Sequence, residues 1–369
     1  MRRRSFVSSH PFSLAIVDPA DENLLLAIMR RFSFAIGLTL GVLANSHAQT
    51  QPDKAQASPV VDLSQYPATT LSNHLMSVRL YLPDPKNGYY RGTRFDWSGL
   101  ISRVDYKGHT FFCEFKPQQH DPLNHDDICG TAEEFGMTIL PPGYEQAHAC
   151  ESFMKIGIGV LQRGDEPSYD FWRPYALKKP GPWQVTPFKN ALEFRQAVEC
   201  PGGWSYSYAK TLRLAGDAPV LTISRRLKNT GSRTIETDHY GHNFLRIDYA
   251  AAGPDYTLEF PFAPHFGEKA EMQGSVQING KTLVFSKEIW DKAVWTPFEG
   301  FSRPEDNSIR ILNHRTGASL TITTDRPLIR LVLYSSGGVV CPEPFVKLLV
   351  APGQVQEWTT TYTFSVGER

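Results

Sequence analysis

The chain is predicted to be an all-β protein, a large antiparallel β-sandwich with few short helices. Hydrophobic and polar residues alternate with a period of two in many segments, as expected for half-buried strands. Convincing amphipathic helices are few. Glycine and proline are numerous, with 28 and 27 among 369 residues, which is typical of many turns between short strands. Because the strands do not alternate with helices, the pattern favours a sandwich over an α/β fold.

The alternation locates the individual strands. It predicts strands at 76–82, 212–214, 221–227, 309–311, 320–322, 329–333 and 358–366. The dipeptide Asn279-Gly280 separates two further apolar segments, 276–278 and 283–285, and predicts a hairpin with a type I′ turn. Short helices are expected near 130–135 and 286–292.

The first 68 residues are predicted to precede the folded domain. Residues 29–48 have the composition of a secretory signal, with a basic start, an apolar run too short to span a bilayer, and small residues before a cleavage after Ala48. Residues 1–28 are interpreted as a start codon assigned too early, residues 49–68 as a flexible leader, and residues 69–369 as a single domain. The protein is expected to be exported, either periplasmic or secreted, with no membrane segment in its mature form.

Charge and cysteine content limit the function classes. The formal net charge is +0, so no basic surface for nucleic acid is indicated. In an oxidising compartment the five cysteines allow one or two disulfides, and their odd number leaves at least one thiol unpaired. Their spacings do not resemble a zinc site, and no metal is predicted. These cysteines are Cys113, Cys129, Cys150, Cys200 and Cys341.

The segment 89–99 is rich in groups that bind sugars. Arg91, Arg94, Asp96 and Trp97 fall within seven residues, between Tyr90 and Ser98. A guanidinium and a carboxylate can hold sugar hydroxyls while an indole packs on the ring. The structural alternative is an edge strand with an exposed Arg–Asp pair, which would contribute little.

The segment 237–244 contains two histidines, His239 and His242. Histidine transfers protons near neutral pH. Because the two are three residues apart on a predicted strand, their side chains point to opposite faces, and at most one faces a given cleft. The alternative is one core histidine and one surface histidine.

The segment 339–345 places Glu343 between Pro342 and Pro344 in an apolar stretch. The prolines predict stiff, extended backbone, and apolar surroundings raise the pKa of a carboxyl towards the range of a general base near neutral pH. A structural glutamate is the alternative. The polar stretch 120–136, with His120 and Glu134, is either one wall of a cleft or a solvated loop.

The order of these segments resembles the galactose mutarotase (aldose 1-epimerase) family. In that family a motif Thr-Asn-His-x-x-x-Asn supplies an acid, and a late Glu-Pro or Glu-Thr supplies a base. Thr237-Asp238-His239 with Asn243 fits the motif in one register. A second register, slightly favoured, makes His242 the acid because it keeps His-Asn-Phe together. The resemblance implies the family's large β-sandwich.

The resemblance also implies a function, anomer interconversion of a small sugar or oligosaccharide without a cofactor. Glu343 would be the base and His242 or His239 the acid, facing each other across a sugar-sized gap. The further substrate-binding residues would be Arg94, Asp96, Trp97, Arg91, Asn243, His120 and Glu134. The second histidine that the family places earlier in the chain has only His120 and His125 as candidates.

Two other function classes stay open at this point. A polysaccharide lyase or another sugar-acid enzyme would abstract the proton next to a uronate carboxylate, with arginine neutralising that carboxylate. A sugar-binding protein without catalysis is the third class, since a fold alone does not decide function.

Overall fold

A computed structural model describes residues 62–271, 274–291 and 293–367. The segments predicted as early start and signal, 1–28 and 29–48, lie outside the described residues. Within the described residues, no helix is both long enough and apolar enough to span a membrane. The helices described there are four short 3₁₀ helices, Leu63–Gln65, Pro117–Gln119, Ile247–Tyr249 and Pro304–Asp306.

The described part of the chain contains twenty-three strands. In chain order they are Ala68–Ser72 (β1), Met76–Tyr81 (β2), Leu100–Tyr106 (β3), His109–Thr110 (β4), Thr131–Phe135 (β5), Ser152–Lys155 (β6), Gly159–Gln162 (β7), Ala176–Pro180 (β8), Trp183–Phe188 (β9), Ala191–Cys200 (β10), Trp204–Leu214 (β11), Val220–Asn229 (β12), Ile235–Asn243 (β13), Tyr256–Glu259 (β14), His265–Phe266 (β15), Val276–Asn279 (β16), Thr282–Phe285 (β17), Val294–Glu299 (β18), Ser308–Asn313 (β19), Ala318–Thr324 (β20), Arg330–Ser335 (β21), Cys341–Val350 (β22) and Val355–Val366 (β23).

The strands form four antiparallel sheets. The largest has ten strands in the order β16-β17-β14-β19-β20-β23-β12-β11-β10-β9. A six-stranded sheet has the order β15-β18-β21-β22-β13-β5, and two small sheets contain β1–β4 and β6–β8. This architecture confirms the predicted all-β, antiparallel fold class.

The core lies between the ten-stranded and six-stranded sheets. Leu258 and Ile311 from the larger sheet and Leu331 and Leu333 from the smaller one belong to one buried cluster. Alternation along β23 buries the face of Trp358, as predicted, and leaves its neighbours more exposed. Each fully buried large apolar side chain stabilises the fold by about 1.5–3 kcal/mol.

The predicted hairpin at 276–285 is confirmed, but its turn differs. Asn279 pairs with Thr282, so Gly280 and Lys281 are the central residues of the loop. Only Gly280 of these two has a positive φ, +62°. A glycine at the first central position is the pattern of a type II′ turn, so the type I′ assignment was wrong.

The two predicted helices are absent from the described residues. Segment 131–135 is the strand β5, which pairs with β13. In segment 286–291 the backbone of Ile289 forms hydrogen bonds with residues that are distant in sequence. Its amide donates to the carbonyl of Ala252, and its carbonyl accepts from the amide of Gly338. Long-range pairing therefore replaces the local i→i−4 bonds of a helix in both segments.

The end of the segment expected to be a flexible leader packs on the domain. Tyr66 contacts the rings of Tyr81, Tyr89 and His120 edge-on, with centroid distances of 5.3–6.4 Å. Residues 49–61 of that segment lie outside the described residues.

Gly130 joins β5 to the small sheet at a point of close contact. Its φ is +58°, and a Cβ added there would lie 1.6 Å from the carbonyl oxygen of Ile101.

We expect Gly130→Ala to lower the free energy of unfolding by about 3 kcal/mol or more, since left-handed backbone and a backbone clash both penalise alanine. Urea unfolding measures this. Gly108→Ala is the matched control, because φ is +80° there and no atom lies within 4 Å of the added Cβ. Its cost is about 1–2 kcal/mol, and equal losses in the two variants would contradict the packing described here.

Candidate active site

The pairing of β13 with β22 brings His242 and Glu343 together. Tyr240 pairs with Phe345, and the same register continued by two residues sets His242 opposite Glu343. The ladder between the two strands ends at Tyr240 and Phe345, because the prolines on both sides of Glu343 have no N–H with which to extend it. His242 Nε2 lies 3.0 Å from Glu343 Oε1.

His242 lies among aromatic rings and beside a thiol. Its ring stacks on Phe244 at 4.1 Å and meets Phe95 and Tyr334 at 5.8 and 5.4 Å. Cys341 Sγ lies 2.7 Å from His242 Nδ1. Burial in this apolar environment, and secondarily the charge of Arg94, lower the pKa of His242 well below its usual value.

Glu343 shows the complementary shift. Burial raises its pKa to about 8, although the charges of Arg94 and Arg330 oppose the change. Both shifts favour one arrangement, with the proton on Glu343 and a neutral imidazole at His242. Each side chain keeps 6% of its surface exposed. The site thus pairs an acid and a base that are both almost fully buried. They are in direct contact, so the expected sugar-sized gap between them was wrong.

The charges of Arg94 and Glu134 both act on Glu343, and the substrate-binding roles expected of these two residues stay predictions. Arg94 donates through Nε to Glu134 (2.9 Å), through Nη1 to Asp126 (2.8 Å) and through Nη2 to the Tyr240 hydroxyl (3.1 Å). Burial alone would raise the Glu134 pKa, but Lys155 and Arg94 keep it below its usual value. Every nitrogen of the Arg94 guanidinium therefore has a protein acceptor.

His239 lies on the other face of β13, as the spacing of the two histidines predicted. Trp358 donates its indole N–H to Nδ1 (3.2 Å), so Nε2 carries the proton and donates to Glu133 (3.1 Å). Burial lowers the pKa of His239 to about 4. This histidine faces the ten-stranded sheet and does not reach Glu343.

Asp96 and Trp97 are buried away from the His242–Glu343 pair. Asp96 lies 3.3 Å from Lys210 and accepts from Ser98, within the same inter-sheet charge cluster as Glu133. Trp97 is 1% exposed, and its indole N–H donates to the carbonyl of Gly92 (2.8 Å). Neither side chain presents a surface to a sugar, which corrects the expectation for both.

The side chains of Asn243 and His120 are engaged in other contacts, and Nε of Arg91 is buried. Asn243 donates to the carbonyl of Pro342 and accepts from Tyr362, so it links strands. His120 stacks on Tyr89 at 4.0 Å and contacts its carbonyl oxygen. The Arg91 backbone amide donates to a loop carbonyl, and its Nε is buried without a hydrogen-bond partner. The substrate-binding roles expected of these three residues have no support in their positions.

Comparison with solved structures identifies the architecture. The Slr1438 protein from Synechocystis sp. PCC 6803 matches with a TM-score of 0.52 and 14% identity, over 84% of this chain and 98% of that one. A putative aldose 1-epimerase from Escherichia coli K12 matches with a TM-score of 0.52 and 14% identity, over 81% and 99%. The chain has the galactose mutarotase-like fold. No protein-family model and no curated protein matches the chain.

Within this mutarotase-like fold, sequence reasoning missed several neighbours of the pair. Cys341 precedes Glu343 by two residues and Tyr240 precedes His242 by two, so the period of the strands already indicated that they share the site face. Asp126 and Trp172, which contact Arg94, come from loops and carried no comparable signal.

The donor set of His242, Cys341 and Glu343 also suits a metal ion such as zinc, and the ligand atoms lie within 4.8 Å of one another. However, the thiol faces Nδ1 and the carboxylate faces Nε2. Because the thiol and the carboxylate lie at different nitrogens of the imidazole ring, a metal ion bound to one nitrogen could not reach both of them in this arrangement.

All five cysteines are free thiols, and only Cys150 is exposed.

The raised pKa of Glu343 predicts a pH-dependent stability. Between about pH 4.5 and 8 the unfolded carboxyl is ionised while the folded one keeps its proton. The stabilising contribution is therefore complete below pH 4.5 and is lost as pH rises towards 8, by at most about 1.4 kcal/mol per pH unit. We expect Glu343→Gln to gain stability relative to wild type over this range, measured by urea unfolding at pH 5, 6.5 and 8. A difference that does not change with pH would contradict the shift.

Proposed function

We propose that the protein is an exported, carbohydrate-active enzyme of the aldose 1-epimerase type, which interconverts the anomers of a sugar. The observation that carries the proposal is the 3.0 Å contact between His242 Nε2 and Glu343 Oε1, in a buried setting that keeps a small exposed edge. The shared fold with a putative aldose 1-epimerase supports the reaction class.

The reaction needs one proton donor and one acceptor. Protonated Glu343 donates to the ring oxygen while neutral His242 takes the proton of the anomeric hydroxyl, the C1–O5 bond breaks, and the aldehyde forms. Rotation about C1–C2 and the reverse transfers close the ring on the other face and restore both groups. Burial thus favours roles opposite to those expected from the sequence. The two side chains must part when sugar binds.

The lyase alternative has less support. It needs an arginine free to neutralise a uronate carboxylate. Arg94 already donates to Glu134, Asp126 and Tyr240 through all three nitrogens. The other arginine whose charge acts on Glu343, Arg330, donates to Thr138 and lies over the ring of Phe345. At Arg94 a uronate would have to displace the buried Glu134 and the partly exposed Asp126, which is costly.

Replacing either member of the pair should remove catalysis. We expect Glu343→Gln and His242→Asn to lower the rate of anomer interconversion by about 10²–10⁴-fold, because each removes a proton-transfer group. The assay follows pure α-anomers of free hexoses and pentoses to equilibrium by NMR, with the chain from Gln49 onward.

The matched control is Glu236→Gln. Glu236 lies on β13 like His242, but it is half exposed and paired with Lys347, so its loss should leave the rate unchanged. Wild-type rates in Glu343→Gln would remove this carboxyl from the mechanism. Wild-type protein that accelerates none of these sugars would contradict the proposed function.

A further inference from the structure

We infer that Trp172, in the loop between β7 and β8, is the surface on which an uncharged sugar ring packs beside the candidate active site. This inference rests on the proposed function and names its substrate-binding face. Trp172 is 44% exposed, unlike Trp97, which is buried in the core. An exposed aromatic face next to polar groups is the arrangement that binds the C–H face of a sugar.

Trp172 connects to the His242–Glu343 pair through a short series of contacts. The Arg94 guanidinium carbon lies 5.1 Å from the Trp172 ring, 4.8 Å from Phe171 and 4.5 Å from Phe95. The ring of Phe95 in turn meets His242 at 5.8 Å. Trp172 is therefore linked to His242 through two intervening side chains, Arg94 and Phe95.

The loop holds Trp172 in place. Its backbone amide donates to Asp170 Oδ1 (2.9 Å), and the Asp170 amide donates to the Tyr175 hydroxyl (3.0 Å). The Tyr175 amide donates to Thr93 Oγ1 (3.1 Å), which ties the loop to the segment of Arg94. A ring that is already positioned costs little conformational entropy when a ligand binds.

A polar group beside the ring fits a sugar hydroxyl. His125 packs edge-on against Trp172 at 5.0 Å, and its Nε2 has no hydrogen-bond partner and lies 4.0 Å from Asp126. Asp126 bonds Arg94 through Oδ1 and keeps 24% of its side chain exposed. The partly exposed Asp126 carboxylate can thus accept a hydrogen bond from a hydroxyl of a ring stacked on the indole, while the His125 ring, whose Nε2 is buried, supports Trp172.

The charges around the loop favour an uncharged ligand. Arg94 is paired with Glu134 and Asp126. Arg173 lies 3.1 Å from Glu166 and 3.5 Å from Asp165. A phosphate or uronate would compete with these carboxylates and would meet the negative charge of Asp126, whereas a neutral aldose meets no such penalty.

The test compares four proteins, the wild type and three variants, for binding and turnover. They are wild type, Trp172→Ala, Trp172→Phe and Phe188→Ala, where Phe188 is a 54% exposed aromatic residue at the end of β9 and serves as the control. Binding of D-glucose, D-galactose, D-xylose and D-glucuronate is measured by saturation-transfer NMR, and turnover by approach to anomeric equilibrium. Urea unfolding checks that each variant is folded.

We expect Trp172→Ala to weaken binding and raise KM by about tenfold with kcat nearly unchanged, Trp172→Phe to recover most of the loss, and Phe188→Ala to match wild type. Wild-type KM and binding in Trp172→Ala would overturn the inference and leave the proposed function intact. Preferred binding of glucuronate would overturn the uncharged substrate class. The wild type could also bind sugar without interconverting its anomers while Trp172→Ala loses that binding. This result would support Trp172 as the sugar-binding surface and contradict the proposed function.

Discussion

The antiparallel pairing of β13 with β22 is the constraint on which the candidate site depends. Its register brings His242 opposite Glu343, two residues beyond the Tyr240–Phe345 pair. The prolines that flank Glu343 withhold backbone donors at this point. The side chain of Asn243 bonds the Pro342 carbonyl instead, which keeps the two strands together. Two ionisable groups are thereby held in contact by a register that a one-residue slip would destroy.

The short strand β5 supports this arrangement from both faces. Its two glutamates point in opposite directions, Glu133 to Arg225 and Lys210 between the sheets, and Glu134 to Arg94 and Lys155 beside the pair. Buried carboxylates are tolerated only with such partners, and removing one partner typically costs about 3–5 kcal/mol. The ion pairs therefore fix Arg94, whose charge influences both His242 and Glu343.

Sequence periodicity was sufficient for the fold class and for the faces of single strands. Alternation predicted the opposite orientations of His239 and His242, and the two prolines predicted the extended backbone at Glu343. Alternation could not predict which part of the structure packs against each face of a strand. Asp96 and Trp97 were predicted to bind sugar because charged and aromatic residues cluster in their segment. In the folded core, however, Asp96 pairs with Lys210, which is distant in sequence. The Trp97 indole donates to the carbonyl of Gly92, a contact that the sequence pattern does not indicate.

Contributions from loops were beyond prediction for a different reason. Trp172 and Asp126 meet at Arg94 only because long-range contacts fold two loops onto the six-stranded sheet. The strand β5 was mistaken for a helix because its local composition does not reveal that both faces are paired with cations. Tertiary pairing decided these elements over local propensity.

Burial beside His242 keeps the proton on Glu343 near neutral pH. The most direct measurement follows the side-chain carboxyl carbon of Glu343 by NMR from pH 4 to 9, assigned by comparison with Glu343→Gln. We expect a midpoint near pH 8, with His242 neutral throughout the upper half of the range. A midpoint near 4.5, the ordinary value for glutamate, would contradict it.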